Sequence, residues 1–196
     1  MSAELEKCLS AAEKPYEYLT GLKKRIGKPM AGFLSSYIPH EIVYAAGAHP
    51  FRIFPSESGF NRSYGFLQPF ACSYVRAALE DGLEGRLGFA DCMLFSHTCD
   101  ALQTLEGIWR KTVNVPVAAN LNFPTAAGGA LQLNFLISQL RDFYGALSIR
   151  FNSGDENSLM TACGLYNENR ALLRELYGLR REGRLSLTSS EFYKVL

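Results

Sequence analysis

Short apolar segments alternate with helical patterns along most of this 196-residue chain. The strand candidates are residues 32–37, 49–54, 89–98 and 115–121. The helix candidates, marked by apolar residues at helical spacing, are 40–46, 69–81, 101–111, 131–147 and 155–181. Strands separated by helices in this way pair in parallel through right-handed crossovers. The sequence therefore predicts an α/β fold with a parallel, doubly wound (Rossmann-like) sheet flanked by helices.

The two ends of the chain differ from this alternating middle. Residues 1–27 form a predicted helical segment that Pro15 breaks and the Gly27–Pro29 stretch ends. Residues 28–150 are the predicted α/β domain. Residues 151–196 carry a long charged helix and then what looks like the start of another helix. We expect this last segment to bridge towards a second α/β domain that is missing from the chain.

Composition excludes two classes of partner. The chain has 20 Lys plus Arg and 19 Asp plus Glu, so it lacks the strong positive charge of a typical nucleic-acid binder. No apolar run approaches the roughly 20 residues that a membrane-spanning helix needs. The N-terminus mixes charged and small residues and does not resemble a secretory signal. We therefore expect a cytoplasmic protein that binds neither nucleic acid nor membrane.

The chain has five cysteines, an odd number at irregular spacing, with no C-x-x-C pair. They are Cys8, Cys72, Cys92, Cys99 and Cys163. In the cytoplasm such cysteines stay reduced, which leaves buried thiols, metal ligands or a reactive thiol as their roles.

Cys72 and Cys99 lie where an open α/β sheet binds ligands, near the carboxyl ends of strands. Cys99 follows the strand 89–98, and Cys72 falls in the first turn of a helix that Pro69 opens. Helix N-termini favour thiolate over thiol, and thiolates are the ligands of iron–sulfur clusters. The two positions are one strand–helix step apart, so they can border the same crevice. The alternative is a pair of buried thiols that pack as small hydrophobic side chains.

Two further residues are candidates for contact with a substrate or cofactor. Glu41 opens a helix on the crevice side, although a carboxylate there also complements the helix dipole without any other role. His97, two residues before Cys99, could hydrogen-bond a cluster sulfide or act as an acid or base; the alternative is a structural histidine at a strand end. Asp100 is the predicted N-cap of the helix that follows.

Four stretches of the chain share their order and spacing with a known family. They are Tyr37–Ala48 (YIPHEIVYAAGA), Pro69–Cys72 (PFAC), Thr98–Asp100 (TCD) and Leu165–Arg170 (LYNENR). Over roughly residues 28–196 the chain resembles the N-terminal portion of the 2-hydroxyacyl-CoA dehydratase / benzoyl-CoA reductase family, of the 2-hydroxyglutaryl-CoA dehydratase D-component type. That family carries a Pro-Glu-Glu-Leu-Ile-Tyr-Ala-Ala-Gly type segment near its N-terminus and a helix of the Tyr-Asn-Glu type.

The resemblance implies a subunit of two α/β domains with a [4Fe–4S] cluster between them, bound by three cysteines. It assigns the first two metal ligands to Cys72 and Cys99. The third belongs to the family's second domain, and no other cysteine of this chain matches it. The implied partners are a related second subunit, an acyl-CoA substrate and an ATP-dependent activator protein with its own iron–sulfur cluster. The chain itself carries nothing that resembles a phosphate-binding P-loop.

The function implied by the resemblance is that of a lyase of anaerobic metabolism, a radical-type (R)-2-hydroxyacyl-CoA dehydratase. One electron added to the thioester carbonyl gives a ketyl radical, which expels the hydroxyl group. One alternative within the family is an ATP-dependent benzoyl-CoA reductase-type or double-cubane-cluster reductase subunit. An alternative of another class is a non-catalytic scaffold or electron-transfer partner, which the unmatched third cysteine favours.

Overall fold

The protein, described here by a computed structural model over residues 3–55, 59, 61–126 and 128–196, has a four-stranded sheet at its centre. The strands are β1 (Met30–Phe33), β2 (His49–Arg52), β3 (Cys92–His97) and β4 (Val117–Asn122). The helices are α1 (Ala3–Glu13), α2 (Pro15–Ile26), α3 (His40–Ala45), α4 (Ser73–Leu83), α5 (Asp100–Thr112), α6 (Ala130–Phe151), α7 (Glu156–Arg181) and α8 (Ser189–Val195). The strand order is β2-β1-β3-β4, with every neighbouring pair parallel. The predicted α/β class is confirmed.

Helices cover both faces of the sheet because side chains alternate between the two faces of each strand. Met93 and Phe95 of β3 belong to the core beneath α2, α4 and α5. Cys92 and Leu94 of the same strand belong to the core beneath α3 and α6. The nearly continuous apolar sequence of β3 therefore reflects burial on both sides.

The chain reverses its direction of travel across the sheet between β1 and β3. From β1 it passes through α3 to β2 on one side, and then through α4 to β3 on the other side. Connections that leave neighbouring strands in opposite directions open a crevice at the carboxyl ends of those strands, where α/β proteins bind ligands. The segments after β1 and β3 are therefore the place to look for a site.

Local turns move two of the predicted boundaries by four residues. The strand predicted at 32–37 ends at Phe33, since the Tyr37 N–H donates to Ser35 Oγ at 3.2 Å and forms a turn instead. The helix predicted to open at Pro69 begins at Ser73.

The Asp100 N-cap prediction is also wrong. Asp100 is already the first helical residue of α5, and Cys99 is the N-cap.

The remaining helices lie close to their predicted positions. The N-terminal helical segment breaks at Pro15, the first residue of α2, and ends at Gly27, whose φ of 63° is left-handed. The predicted loop over 55–68 and turn over 124–129 include residues 56–58, 60 and 127, which lie outside the described residues. Among the residues that are described, no helix is both long and apolar enough to cross a membrane. The division into segments 1–27, 28–150 and 151–196 stays a prediction.

Candidate functional site

Cys72 and Cys99 occupy the same position on two neighbouring helices, the N-cap of α4 and of α5. The Cys72 carbonyl accepts the Arg76 N–H at 3.2 Å, and the Cys99 carbonyl accepts the Gln103 N–H at 3.1 Å. Neither side chain caps its own helix. Both cysteines therefore directly precede first-turn N–H groups that have no partner within the helix.

The two cysteines also share an edge and a face of the sheet. Both helices begin at the carboxyl edge, cover the same face and pack against each other. Both residues are exposed, so the alternative of two buried thiols is wrong for them. Cys92, by contrast, is fully buried in β3, and burial raises the pKa of its thiol to about 11, which disfavours a thiolate there.

The thiols of Cys72 and Cys99 are suited to be two ligands of an iron–sulfur cluster. Thiolates bind iron, and helix N–H groups can hydrogen-bond the sulfurs. Within the described residues, no group of three or more His, Cys, Asp or Glu side chains could hold a metal ion. A cluster at these two cysteines would therefore need a further ligand from outside the described residues.

Glu41 is engaged by another element. Its carboxylate forms an ion pair with Arg170 of α7, whose guanidinium also donates to Asn167 Oδ1 at 2.9 Å. His40 lies between the rings of Phe33 and Tyr166, with centroid distances of 4.7 Å and 5.8 Å. These contacts bring two of the four family-like stretches, Tyr37–Ala48 and Leu165–Arg170, together at α3 and α7.

His97 belongs to a polar cluster formed by β3, β4 and α5. Its Nε2 lies 2.8 Å from Asn120 Nδ2 and 3.5 Å from Glu106 Oε2. The Asn120 amide also donates to Glu106, and Arg110 donates to the other Glu106 oxygen at 3.0 Å and 2.8 Å. His97 itself is one-third exposed.

Sequence reasoning missed four members of these clusters: Glu106, Arg110, Asn120 and Arg170. A signal for Asn120 does exist, because an amide in the middle of the otherwise apolar stretch 115–121 must find a partner if it faces the core. Nothing in the spacing of Glu41 and Arg170 indicates that they meet, since 129 positions separate them.

Four of the exposed aromatic side chains lie in the connections that follow β1 and β2. They are Tyr37 (61% exposed), Phe54 (54%), Phe66 (49%) and Phe70 (85%), and we call them the aromatic rim. The Tyr37 ring meets Phe123, which follows β4, at a centroid distance of 5.2 Å. Exposed aromatic side chains make this part of the molecule a candidate for a surface that another protein part covers.

Comparisons with known proteins place this architecture in context. Residues 35–196 match the sequence model of the family described as 2-hydroxyglutaryl-CoA dehydratase, D-component. The chain is 27% identical to a benzoyl-CoA reductase subunit of Thauera aromatica, over 86% of this chain and 45% of that protein. It is 29% identical to the beta subunit of lactoyl-CoA dehydratase of Anaerotignum propionicum, over 89% of this chain and 46% of that protein. It is 27% identical to the beta subunit of (R)-2-hydroxyglutaryl-CoA dehydratase of Acidaminococcus fermentans, over 93% of this chain and 48% of that protein. The chain spans about half the length of the curated relatives it matches.

Proposed function

This chain belongs to the 2-hydroxyglutaryl-CoA dehydratase D-component family, and we propose that it is a subunit, or part of a subunit, of an iron–sulfur enzyme that acts on acyl-CoA thioesters. The observation that carries the proposal is the matched placement of Cys72 and Cys99. Both are exposed N-caps of adjacent helices, at the edge where the sheet opens, inside the matched segment.

Cys72 and Cys99 would hold a [4Fe–4S] cluster together with a ligand from outside the described residues. Such a cluster, when bound, supplies the low-potential electron that activates a thioester. The first-turn N–H groups of α4 and α5 would stabilise negative charge at the two thiolates. The aromatic rim would exclude water once a second domain or a partner protein packs over it. Glu41 and His97 stay candidates for contact with the substrate.

The proposed reaction is loss of water from an (R)-2-hydroxyacyl-CoA. One electron enters the thioester carbonyl, hydroxide leaves carbon 2, a proton leaves carbon 3, and the electron is then returned. Three relatives that carry the name of a dehydratase β subunit favour this chemistry. The second candidate is reduction of an aromatic acyl-CoA, which the likeness to a benzoyl-CoA reductase subunit favours.

The proposal includes partners and a compartment. Relatives named as β subunits support a related second subunit. An ATP-dependent activator with its own cluster would deliver the electron. Five free cysteines are compatible with the reducing cytoplasm, where we place the protein.

Iron and acid-labile sulfide per chain, measured on protein prepared without oxygen, test the cluster. We expect equal amounts, approaching ~4 of each as in a cubane, with the chain alone or with its second subunit. Cys72→Ser and Cys99→Ser should each abolish most of this iron. Cys163→Ser, on the half-buried cysteine of α7, is the matched control and should keep it. If both the chain alone and the chain with its second subunit are free of iron, the cluster proposal is wrong and the non-catalytic scaffold is the remaining alternative.

A product analysis separates the two chemistries. The complex with activator and ATP is given a 2-hydroxyacyl-CoA in one reaction and benzoyl-CoA in another. An enoyl-CoA from the first supports the dehydratase, whereas a ring-reduced thioester from the second supports the reductase.

A further inference from the structure

Only one placement of the hydrogen atoms is compatible with the contacts in the polar cluster, which consists of His97, Asn120, Glu106 and Arg110. Arg110 donates twice to Glu106 Oε1, so the Glu106 side chain acts as a carboxylate that can only accept hydrogen bonds. The Glu106 side chain is 13% exposed, so the free-energy cost of burying its carboxylate is reduced by each hydrogen bond that it accepts.

Asn120 supplies that donor. Its Nδ2 group contacts Glu106 Oε2 and, at 2.8 Å, His97 Nε2. With the amide turned the other way, its oxygen would face the carboxylate, which repels it. Asn120 therefore donates one hydrogen to Glu106 and the other to His97 Nε2.

An imidazole nitrogen that accepts a hydrogen bond carries no proton of its own, so the proton of neutral His97 is on Nδ1. The competing partner of Nε2 is Glu106, but their 3.5 Å separation is longer than an ordinary hydrogen bond. We propose that Asn120, held by Glu106, is a positioning residue that fixes His97 as the Nδ1–H tautomer.

The location of His97 gives this tautomer a use. His97 ends β3, two residues before Cys99, and lies on the face of the sheet that α5 covers. Cys99 and Cys72 are the N-caps on that same face. With Nε2 occupied by Asn120, the remaining hydrogen-bond donor of neutral His97 is Nδ1. The assignment of that donor to a bound sulfur or substrate oxygen rests on the proposed function, whereas the tautomer does not.

The cluster also leaves one acceptor unused. Asn120 Oδ1 is buried and has no hydrogen-bond partner among the described residues. Both amide hydrogens of Asn120 are instead directed to side chains, those of Glu106 and His97.

Nitrogen-15 NMR of the folded, iron-free chain tests the proposal without any cluster or activity. The chain has three histidines, and His97→Gln identifies the resonances of His97. At about pH 8.5, where an ordinary imidazole is neutral, we expect long-range correlations to show a protonated Nδ1 and an unprotonated Nε2. In Asn120→Ala the proton should move to Nε2, because Glu106 becomes the nearest partner of that nitrogen.

Asn122→Ala is the matched control. Asn122 lies two residues further along β4 and pairs with His97 in the strand register, but its amide donates to Gln139 Oε1 at 3.2 Å and not to the imidazole. This variant should leave the proton on Nδ1. A wild-type His97 with its proton on Nε2, or a proton position that Asn120→Ala does not change, overturns the proposal. If Asn120→Ala does not fold, the wild-type spectrum alone decides. Because the measurement uses iron-free protein, its failure is distinct from a failure to bind a cluster.

Discussion

Glu80 is a fully buried carboxylate in α4 whose partners are backbone N–H groups. The N–H of Ser63 donates to it at 2.8 Å and that of Arg62 at 3.0 Å, so it ties the 3₁₀ turn at Ser63–Gly65 to the helix. Desolvation alone would raise the pKa of Glu80, but these hydrogen bonds outweigh it and hold the pKa below its usual range. Its folded form therefore prefers the charged state.

Glu80→Gln should lower the free energy of unfolding by roughly 1–3 kcal/mol, because the amide NH₂ group would place a donor beside backbone N–H groups that the carboxylate now accepts from. The folded pKa is depressed, so the native stabilisation is complete above the unfolded pKa of about 4.3 and is lost as the pH falls through the folded value. Urea titrations at several acidic pH values should show that the free energy of unfolding falls less with decreasing pH in the variant than in the wild type. Glu17→Gln, on an exposed glutamate paired with Lys14, is the control and should change stability by less than about 0.5 kcal/mol.

Gly32 of β1 and Gly107 of α5 should respond to alanine in opposite directions. A Cβ at Gly32 would lie 2.7 Å from Met93 Sδ and 2.9 Å from Phe51 Cζ, so Gly32→Ala should cost about 1–3 kcal/mol through overpacking. A Cβ at Gly107 meets nothing within 4 Å, and Gly107→Ala should stabilise by up to about 1 kcal/mol. Thermal unfolding of both variants decides; a stabilising Gly32→Ala would contradict the packing argument.

At the residue scale, the sequence indicates where the cysteines lie in the fold, but not which residues contact the polar side chains of the candidate site. The position of Cys99 after a buried strand is readable from the apolar pattern of 89–98. The partners of His97 come from β4 and α5, and those of Glu41 from α7. Contacts between distant parts of the chain depend on packing, which a single sequence does not display.

The pair of helices α3 and α7 contains a histidine whose ionisation should affect stability. Burial lowers the pKa of His40, and the Arg170 guanidinium lowers it further. Phe33 and Tyr166 pack on the ring, and Glu41 beside it is paired with Arg170. The folded state therefore favours neutral His40.

The contribution of neutral His40 to the free energy of unfolding should be complete above the unfolded pKa of about 6.5. It should decline as the pH falls below that value, since the imidazole is then protonated more readily in the unfolded chain than in the folded one. In His40→Gln, the free energy of unfolding should depend less on pH between about 5 and 6.5. His49, whose pKa is also lowered by burial and by Lys28, keeps its own contribution in that variant. An unchanged pH slope would show that His40 does not titrate differently on folding.

At the element scale, the kinds and order of the elements were predictable, and their ends were not. The 3.6-residue spacing reports helices reliably because it reflects a buried face. Helix starts depend on single residues: α4 begins after Cys72 and α5 after Cys99, although cysteine is not a preferred N-cap residue. Both of these helix starts lie at the candidate site.

The whole molecule exposes its aromatic rim at the edge that carries both cysteines. We expect the double variant Tyr37→Ser/Phe70→Ser to fold with unchanged stability and to bind the second subunit more weakly, by at least tenfold in Kd. Sedimentation of the mixed subunits measures this. Ile149→Ser is the matched control: Ile149 is 85% exposed near the end of α6, whose Arg150 donates to Asp91 at the opposite edge. Equal weakening by both variants would argue against the rim as the interface.

The central position of β1 has a consequence for how the chain is made. β1 pairs with β3, and the paired residues Ala31 and Cys92 are about sixty residues apart in the sequence. On the ribosome, β1, α3 and β2 emerge early and can assemble, but one edge of β1 stays unpaired until β3 has left the exit tunnel. Long-range parallel pairing of this kind is slow and leaves strand edges open to misassembly. A chain with this strand order is therefore most vulnerable to aggregation during synthesis, before its middle strand is complete.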